Sequence, residues 1–264
     1  MLFSAPSRFA LLACAVLSFS ACSTVNAPNP ETSPASAATS STSSATLFAP
    51  IVMSSATSDV LFGSREIAFS PNLSAFQRWQ NVNTRFVAQR DATKSSCDGS
   101  DPKTCPVQWW QGFITELEAL PLQERVALVN NTFNHVTYVT AGKNWGNPGY
   151  WETPFEFLRK GGQCQDYAIA KYLALLDSGV PEDQMRFVVV RDIARSLDHA
   201  VTVVNVDGEE LVLDNLATEV KPAGQDEQYT PYYALNDRGW WLYSPPLSSR
   251  RHAVQVAEAP QKSD

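Results

Sequence analysis

No apolar run in this chain approaches the roughly 20 residues that a membrane-spanning helix needs. Basic charge is also short: 20 Lys and Arg stand against 27 Asp and Glu, a formal net charge of −7. Such a balance offers no basic footprint for phosphate, which argues against nucleic acid as a partner. Histidine is scarce, with three in 264 residues (His135, His199 and His252), so any imidazole chemistry has few bearers. What is present is apolar material, 44% of the residues, enough for one good-sized core or one core with a small subdomain.

The N-terminus carries a single positive charge, Arg8, followed by the short run FALLACAVLSFSA. Its length suits the apolar stretch of a signal peptide over 1–21. The run ends at Ser20-Ala21-Cys22, which resembles a bacterial lipobox, making Cys22 the candidate lipid-attachment site. The alternative is ordinary cleavage a few residues later, leaving a free periplasmic protein. From Ser23 to Thr46 every residue but four is Ser, Thr, Ala or Pro. Such a segment cannot bury enough apolar surface to offset its ordering entropy, so 22–46 is expected to be an anchor cysteine plus tether. A folded domain is expected over 47–246 and a polar tail over 247–264. The expected location is the periplasm, with a lipid anchor to the outer membrane as the only membrane contact.

Five cysteines are present. Cys14 leaves with the signal and Cys22 is the candidate lipid site. Cys97 and Cys105 bracket the turn-rich loop CDGSDPKTC, and in an oxidising compartment a disulfide is expected to close it; two free surface thiols are the alternative. Cys164 is then left over, as either a buried small hydrophobe or a reactive thiol.

Apolar spacing predicts a helix over 75–90, with Phe76, Trp79, Val82 and Phe86 on one face, a second over 107–119 and a third opening at Pro121. These stripes read as core. Residues 136–140 are expected to form a short strand, AGKNWGNPGYW a loop, and Pro154 the start of a helical turn. The segment from Cys164 has helix-forming density and stops at Gly179, with Pro181 beyond. β-rich runs follow at 184–192, 199–206 and 209–216, the last two joined by Asp207-Gly208, a strong hairpin signal. The order implies an α+β fold, helices first and an antiparallel sheet after.

Cys164 at a helix start gains from the unpaired N–H groups and the helix dipole, which favour a thiolate. Gly161 and Gly162 before it allow close approach and leave room for a substrate. A thiolate needs a proton carrier, and the hairpin selects His199. With a two-residue turn, Val206 faces Glu209, Val204 faces Leu211 and Val201 faces Asp214, so His199, Val201, Asp214 and Leu216 share a face. Asp214 is then the diagonal neighbour of His199 and can orient its ring. A three-residue turn would reverse that parity.

A cysteine on a helix start, a histidine on the next strand and an aspartate on the following one, in that order, resemble the transglutaminase/papain-like fold. More narrowly, the stretch from WGNPGYW through GGQCQDYAIAKYLALLDSGVPED, then DHAVTVV and LVLDNL, resembles the bacterial transglutaminase-like cysteine peptidases of the LapG-like group. The resemblance runs from about Leu120 to Trp241. It implies a periplasmic endopeptidase that cuts a large RTX-type surface adhesin near its N-terminus, at a small-residue site, to control biofilm attachment. It also implies sequestration by a LapD-like inner-membrane cyclic-di-GMP receptor. By carry-over Cys164 is the nucleophile, His199 the general base and acid, and Asp214 the orienter. The Cys164 N–H and a second donor hold the oxyanion; Trp145 is a candidate for that donor, with an aromatic packed over the site as the alternative.

Two departures from the family pattern matter. The family's calcium dependence goes with acidic residues flanking the nucleophile, and here both are neutral, Gln163 and Gln165. Amide oxygens hold calcium far more weakly than carboxylates, so no cofactor is expected to be required, with calcium as the alternative that the resemblance implies. The lipobox and tether are the second departure, and they loosen the link to the receptor and the adhesin. Two alternatives keep other classes open: a transferase or amidase using the same thioester, and a non-catalytic lipoprotein that binds a partner in the old cleft.

Overall fold

The computed structural model describes residues 60–92 and 101–244; the expected signal, anchor cysteine, tether and tail, together with Cys97, lie outside the described residues. The order along the chain is β1 (Val60–Leu61), β2 (Ser64–Ser70), α1 (Gln77–Ala92), α2 (Pro106–Glu118), α3 (Leu122–Asn134), α4 (Ala141–Trp145), α5 (Pro154–Lys160) and α6 (Cys164–Asp177). The strands β3 (Met185–Asp192), β4 (Leu197–Val206), β5 (Glu209–Leu213), β6 (Lys221–Pro222), β7 (Tyr229–Asn236) and β8 (Gly239–Tyr243) then complete it. Helices come first and most of the sheet follows, the α+β arrangement of a papain-like fold. No helix among the described residues is long and apolar enough to cross a membrane.

The helices arise where the apolar spacing places them. Trp79, Val82 and Phe86 on α1 are buried, as are Val126, Val129 and Phe133 on α3, with Pro121 at the position that opens α3. Phe86, Trp110, Phe133 and Phe155 meet at ring-centre distances such as 5.4 Å (Phe86–Trp110) and 6.0 Å (Trp110–Phe133). Edge and tilted pairs of this kind add about 0.5–1.5 kcal/mol each beyond their burial. Arg85 on α1 then reaches the loop before α5, donating to Glu156 (2.7 Å), to the Tyr150 hydroxyl (2.7 Å) and to the Trp151 carbonyl (2.5 Å). That segment, 150–156, leads toward the nucleophile.

Two local expectations are corrected. Residues 136–140 contribute one parallel bridge, Tyr138 to Gly162, rather than a strand, and the partner segment turns into α6 two residues later. The expected loop at 141–151 begins with the one-and-a-half turns of α4, closed by Gly146 in the left-handed region (φ 66°).

The strands pair antiparallel in the order β1-β2-β8-β7-β3-β4-β5-β6. One face packs on the helices: Thr202 of β4 donates its hydroxyl to the Ala168 carbonyl of α6 (2.7 Å). The other face encloses a second apolar cluster, including Val188, Val190, Val201, Val212 and Tyr229, with Leu61 and Phe62 from the start of the sheet. β1 lies against the turn Ala223–Gln225 that follows β6, so the two edges of the sheet curl toward each other. β2, β7 and β8 were not expected from the sequence.

The hairpin that selects His199 forms as argued. Val206 faces Glu209, Val204 faces Leu211 and Thr202 faces Leu213, with Asp207 (φ 53°) and Gly208 (φ 91°) as a two-residue turn. β5 ends at Leu213, so Asp214 stands one residue beyond the ladder and Leu216 lies in the loop after it.

Candidate active site

α6 begins at Cys164 because its chain arrives through two glycines pinned to the segment 137–139. Gly161 has φ 76°, and a Cβ there would stand 2.2 Å from the Thr137 carbonyl oxygen. A Cβ on Gly162 would stand 2.8 Å from Phe157 and Asp166. The bonds Gly162 N–H to Thr137 O (3.3 Å) and Val139 N–H to Gly162 O (2.9 Å) close the contact. The glycines therefore serve this close packing, where the sequence had suggested room for a substrate. Cys164 occupies the first helical position, in the turn whose N–H groups have no intrahelical acceptor.

Cys164 and His199 line one mainly apolar cavity of about 840 Å³, with Tyr138, Leu197, Leu216 and Arg195 at its walls. His199 Nε2 lies 2.8 Å from Asp214 Oδ1, both residues being buried. Asp214 receives two further bonds that the sequence reading missed: the Tyr229 hydroxyl donates to Oδ2 (2.5 Å) and the Leu216 N–H to Oδ1 (3.0 Å). Burial pushes the Asp214 carboxyl up, but the bond and charge of His199, with the Tyr229 and Leu216 bonds, bring it down to about 2. Asp214 is therefore a carboxylate at neutral pH, the Nε2 side of the ring is its donor, and Nδ1 is left for proton exchange. His135, by contrast, is tied to the Asn131 carbonyl at 2.7 Å on an exposed helix end, and His252 lies outside the described residues.

The thiolate is the nucleophilic form of a cysteine, so nucleophilic chemistry at Cys164 belongs to its reduced form.

The residues flanking the nucleophile are committed to one another. Gln163 Oε1 accepts the Ala141 N–H (3.1 Å), and Gln165 Oε1 lies 3.6 Å from the Cys164 sulfur. Asp166, fully buried, accepts the Glu152 N–H at Oδ1 (2.8 Å) and the Gln163 N–H at Oδ2 (2.9 Å). It thereby ties the loop before α5 to the start of α6. Glu152, also buried, accepts from Asn144 (3.0 Å) and Trp145 (2.6 Å) at Oε1, while its Oε2 has no protein partner. Burial chiefly raises both carboxyls; the charge of Glu156 adds to it at Glu152, and the charge of Glu152 adds to it at Asp166.

These residues do not fit a calcium site. Calcium takes about six to eight oxygens, mostly anionic, and the oxygens of Gln163 and Asp166 are occupied by N–H donors, leaving Glu152 Oε2 uncommitted. Among the described residues no group of three or more Asp, Glu, His or Cys could hold a metal. Trp145 does not line the cavity; its indole N–H goes to Glu152, and its ring packs under Lys160 Nζ at 3.6 Å and beside Tyr150. Its N–H is thus committed to Glu152 rather than to the cavity.

The model of the family described as bacterial transglutaminase-like cysteine proteinase matches residues 78–242. The chain belongs to that family. No curated protein matches it. Among solved structures, Legionella pneumophila LapG in its calcium-bound form is 27% identical, covering 60% of this chain and 86% of that one, with a TM-score of 0.49. An EGTA-treated form of the same protein is 26% identical over 68% of this chain and 94% of that one, also at 0.49. The family membership makes this proteinase a cysteine peptidase that acts on protein. The matched span holds Cys164, His199, Asp214 and the buried Glu152–Asp166 pair alike.

Proposed function

We propose that this proteinase is a periplasmic cysteine endopeptidase in which reduced Cys164 is the nucleophile, His199 the base and acid, and Asp214 the orienter. Its substrate is a large surface adhesin cut near the N-terminus at a small-residue site, which governs biofilm attachment. A LapD-like receptor is its regulator, and a lipid on Cys22 its anchor. The observation that carries the reading is the 2.8 Å His199–Asp214 bond beside the cavity shared with Cys164. The adhesin, the receptor and the anchor rest on the sequence resemblance.

In the reaction, His199 takes the thiol proton through Nδ1 and the thiolate attacks the scissile carbonyl carbon. The C–S bond forms, the C–N bond breaks, and the imidazolium protonates the departing amine. Water, deprotonated by His199, then attacks the thioester and returns the thiol. The Cys164 N–H, in the turn of α6 that lacks intrahelical acceptors, is proposed as one donor to the oxyanion. The proteinase is proposed to do this without calcium, since the flanking residues are neutral and the side-chain oxygens of Gln163 and Asp166 already accept N–H groups.

Incubating the reduced protein with an N-terminal adhesin fragment tests both points. Cleavage is expected in the presence of a thiol reductant, and Cys164→Ala is expected to lower it by about 10⁴-fold or more. EGTA is expected to leave the rate unchanged. Equal cleavage by Cys164→Ala overturns the nucleophile assignment, and loss of cleavage in EGTA overturns calcium independence. Membrane association that survives Cys22→Ala removes the anchor.

A further inference from the structure

Lys171 lies two turns after Cys164 on α6 and is fully buried. Its Nζ donates to Asn130 Oδ1 (2.8 Å) and Asn134 Oδ1 (2.6 Å), both on α3. An ammonium has donors only, so both amides must turn their oxygens toward it. Their NH₂ groups then face the other way, onto the loop after β5. Asn134 Nδ2 donates to the carbonyls of Asp214 and Ala217, each at 2.9 Å. Asn130 Nδ2 donates to the carbonyls of Ala217 (3.3 Å) and Thr218 (3.4 Å).

That loop carries Asp214 itself and the Leu216 N–H that binds its carboxylate. Asp214 stands one residue past the end of the β5 ladder, so the sheet does not fix its backbone. Here the amides of α3 do, and their orientation is set by one cation. We propose that Lys171 is a positioning residue for the active site, holding the Asp214 loop through Asn134 and Asn130 so that the carboxylate meets His199.

The arrangement is costly. Burying an ammonium group costs several kcal/mol, its two partners are neutral amide oxygens, and burial pushes Lys171 down to about 7 against the opposing attraction of Asp214. A side chain kept only for packing needs no such group, since methionine has similar volume and no charge. Without the cation each amide can flip, presenting an oxygen to the loop carbonyls and releasing them.

This inference rests on the proposed roles of Cys164, His199 and Asp214. Its test reads the Cys164–His199 pair directly, through the pH profile of Cys164 alkylation by iodoacetamide in the reduced protein, beside kcat and KM on the adhesin fragment. For Lys171→Met that is folded by circular dichroism, alkylation near neutral pH and kcat are expected to fall about 10- to 100-fold, the range in which misplacement of a catalytic group by about 1 Å costs rate, with KM little changed. Asn134→Asp serves where Lys171→Met does not fold, because it keeps the Lys171 contact and shape but removes both N–H bonds to the loop; the same loss is expected. A folded variant with wild-type alkylation profile and kcat overturns the proposal while leaving the nucleophile reading standing. Full cleavage by Cys164→Ala removes that reading instead.

Discussion

Asp214→Asn is expected to cut turnover by about 10⁴-fold with the fold intact, the scale at which loss of the orienting carboxylate acts in other triads. Asp214 uses both oxygens as acceptors, one for His199 and the Leu216 N–H, the other for the Tyr229 hydroxyl. Asparagine supplies one acceptor oxygen and one NH₂. With the NH₂ toward His199, the ring must present a lone pair at Nε2, which moves its proton to Nδ1 and leaves nothing to take the thiol proton. With the NH₂ toward Tyr229, that buried hydroxyl loses its acceptor. Kinetics on the adhesin fragment check the effect, and activity within tenfold of wild type would sink the assignment. The same carboxylate makes the protein acid-sensitive. Its folded value of about 2 lies below the ordinary 3.8, so the unfolded chain binds the proton more tightly. The resulting stabilisation, ~2 kcal/mol, is complete above the unfolded value and is lost as pH falls through about 2. Thermal unfolding of wild type and Asp214→Asn between pH 6 and pH 2 measures it, and the two curves are expected to converge at the acid end.

Asp166→Ala is expected to be the most destabilising single change near the site, by about 3–5 kcal/mol, the cost of leaving several buried donors unsatisfied. The carboxyl closes two backbone N–H groups on different segments, Gln163 before α6 and Glu152 before α5. Alanine leaves both buried without an acceptor and opens a void beside Gly162, whose Cβ position already touches Asp166. Urea unfolding checks the loss; a change below about 1 kcal/mol, the size of an ordinary surface or single-bond effect, would refute the clamp. Because the clamp fixes where α6 begins, the surviving folded fraction is expected to alkylate more slowly at Cys164.

The hairpin shows which part of the site was legible. Asp207-Gly208 demands positive φ at both positions, so the turn length, and with it the parity of every residue on β4 and β5, is local information. The buried helical stripes were legible for the same reason, since a 3.6-residue period is a property of neighbouring residues. The pairing of β2 with β8 was not, because it joins segments separated in the chain by all six helices and by β3 to β7.

The sequence alone therefore indicated a cysteine peptidase and named three candidate bearers of its chemistry, as residue types at a helix start and on a hairpin whose geometry the chain specifies locally. Tertiary packing decided the rest. It brought Tyr229 from β7 to Asp214, spent the Trp145 N–H on Glu152, made Asp166 a clamp between two segments and set Lys171 under the Asp214 loop. In each case the deciding partner comes from a different segment, and a polar group buried at such a junction must find its partner there or not at all.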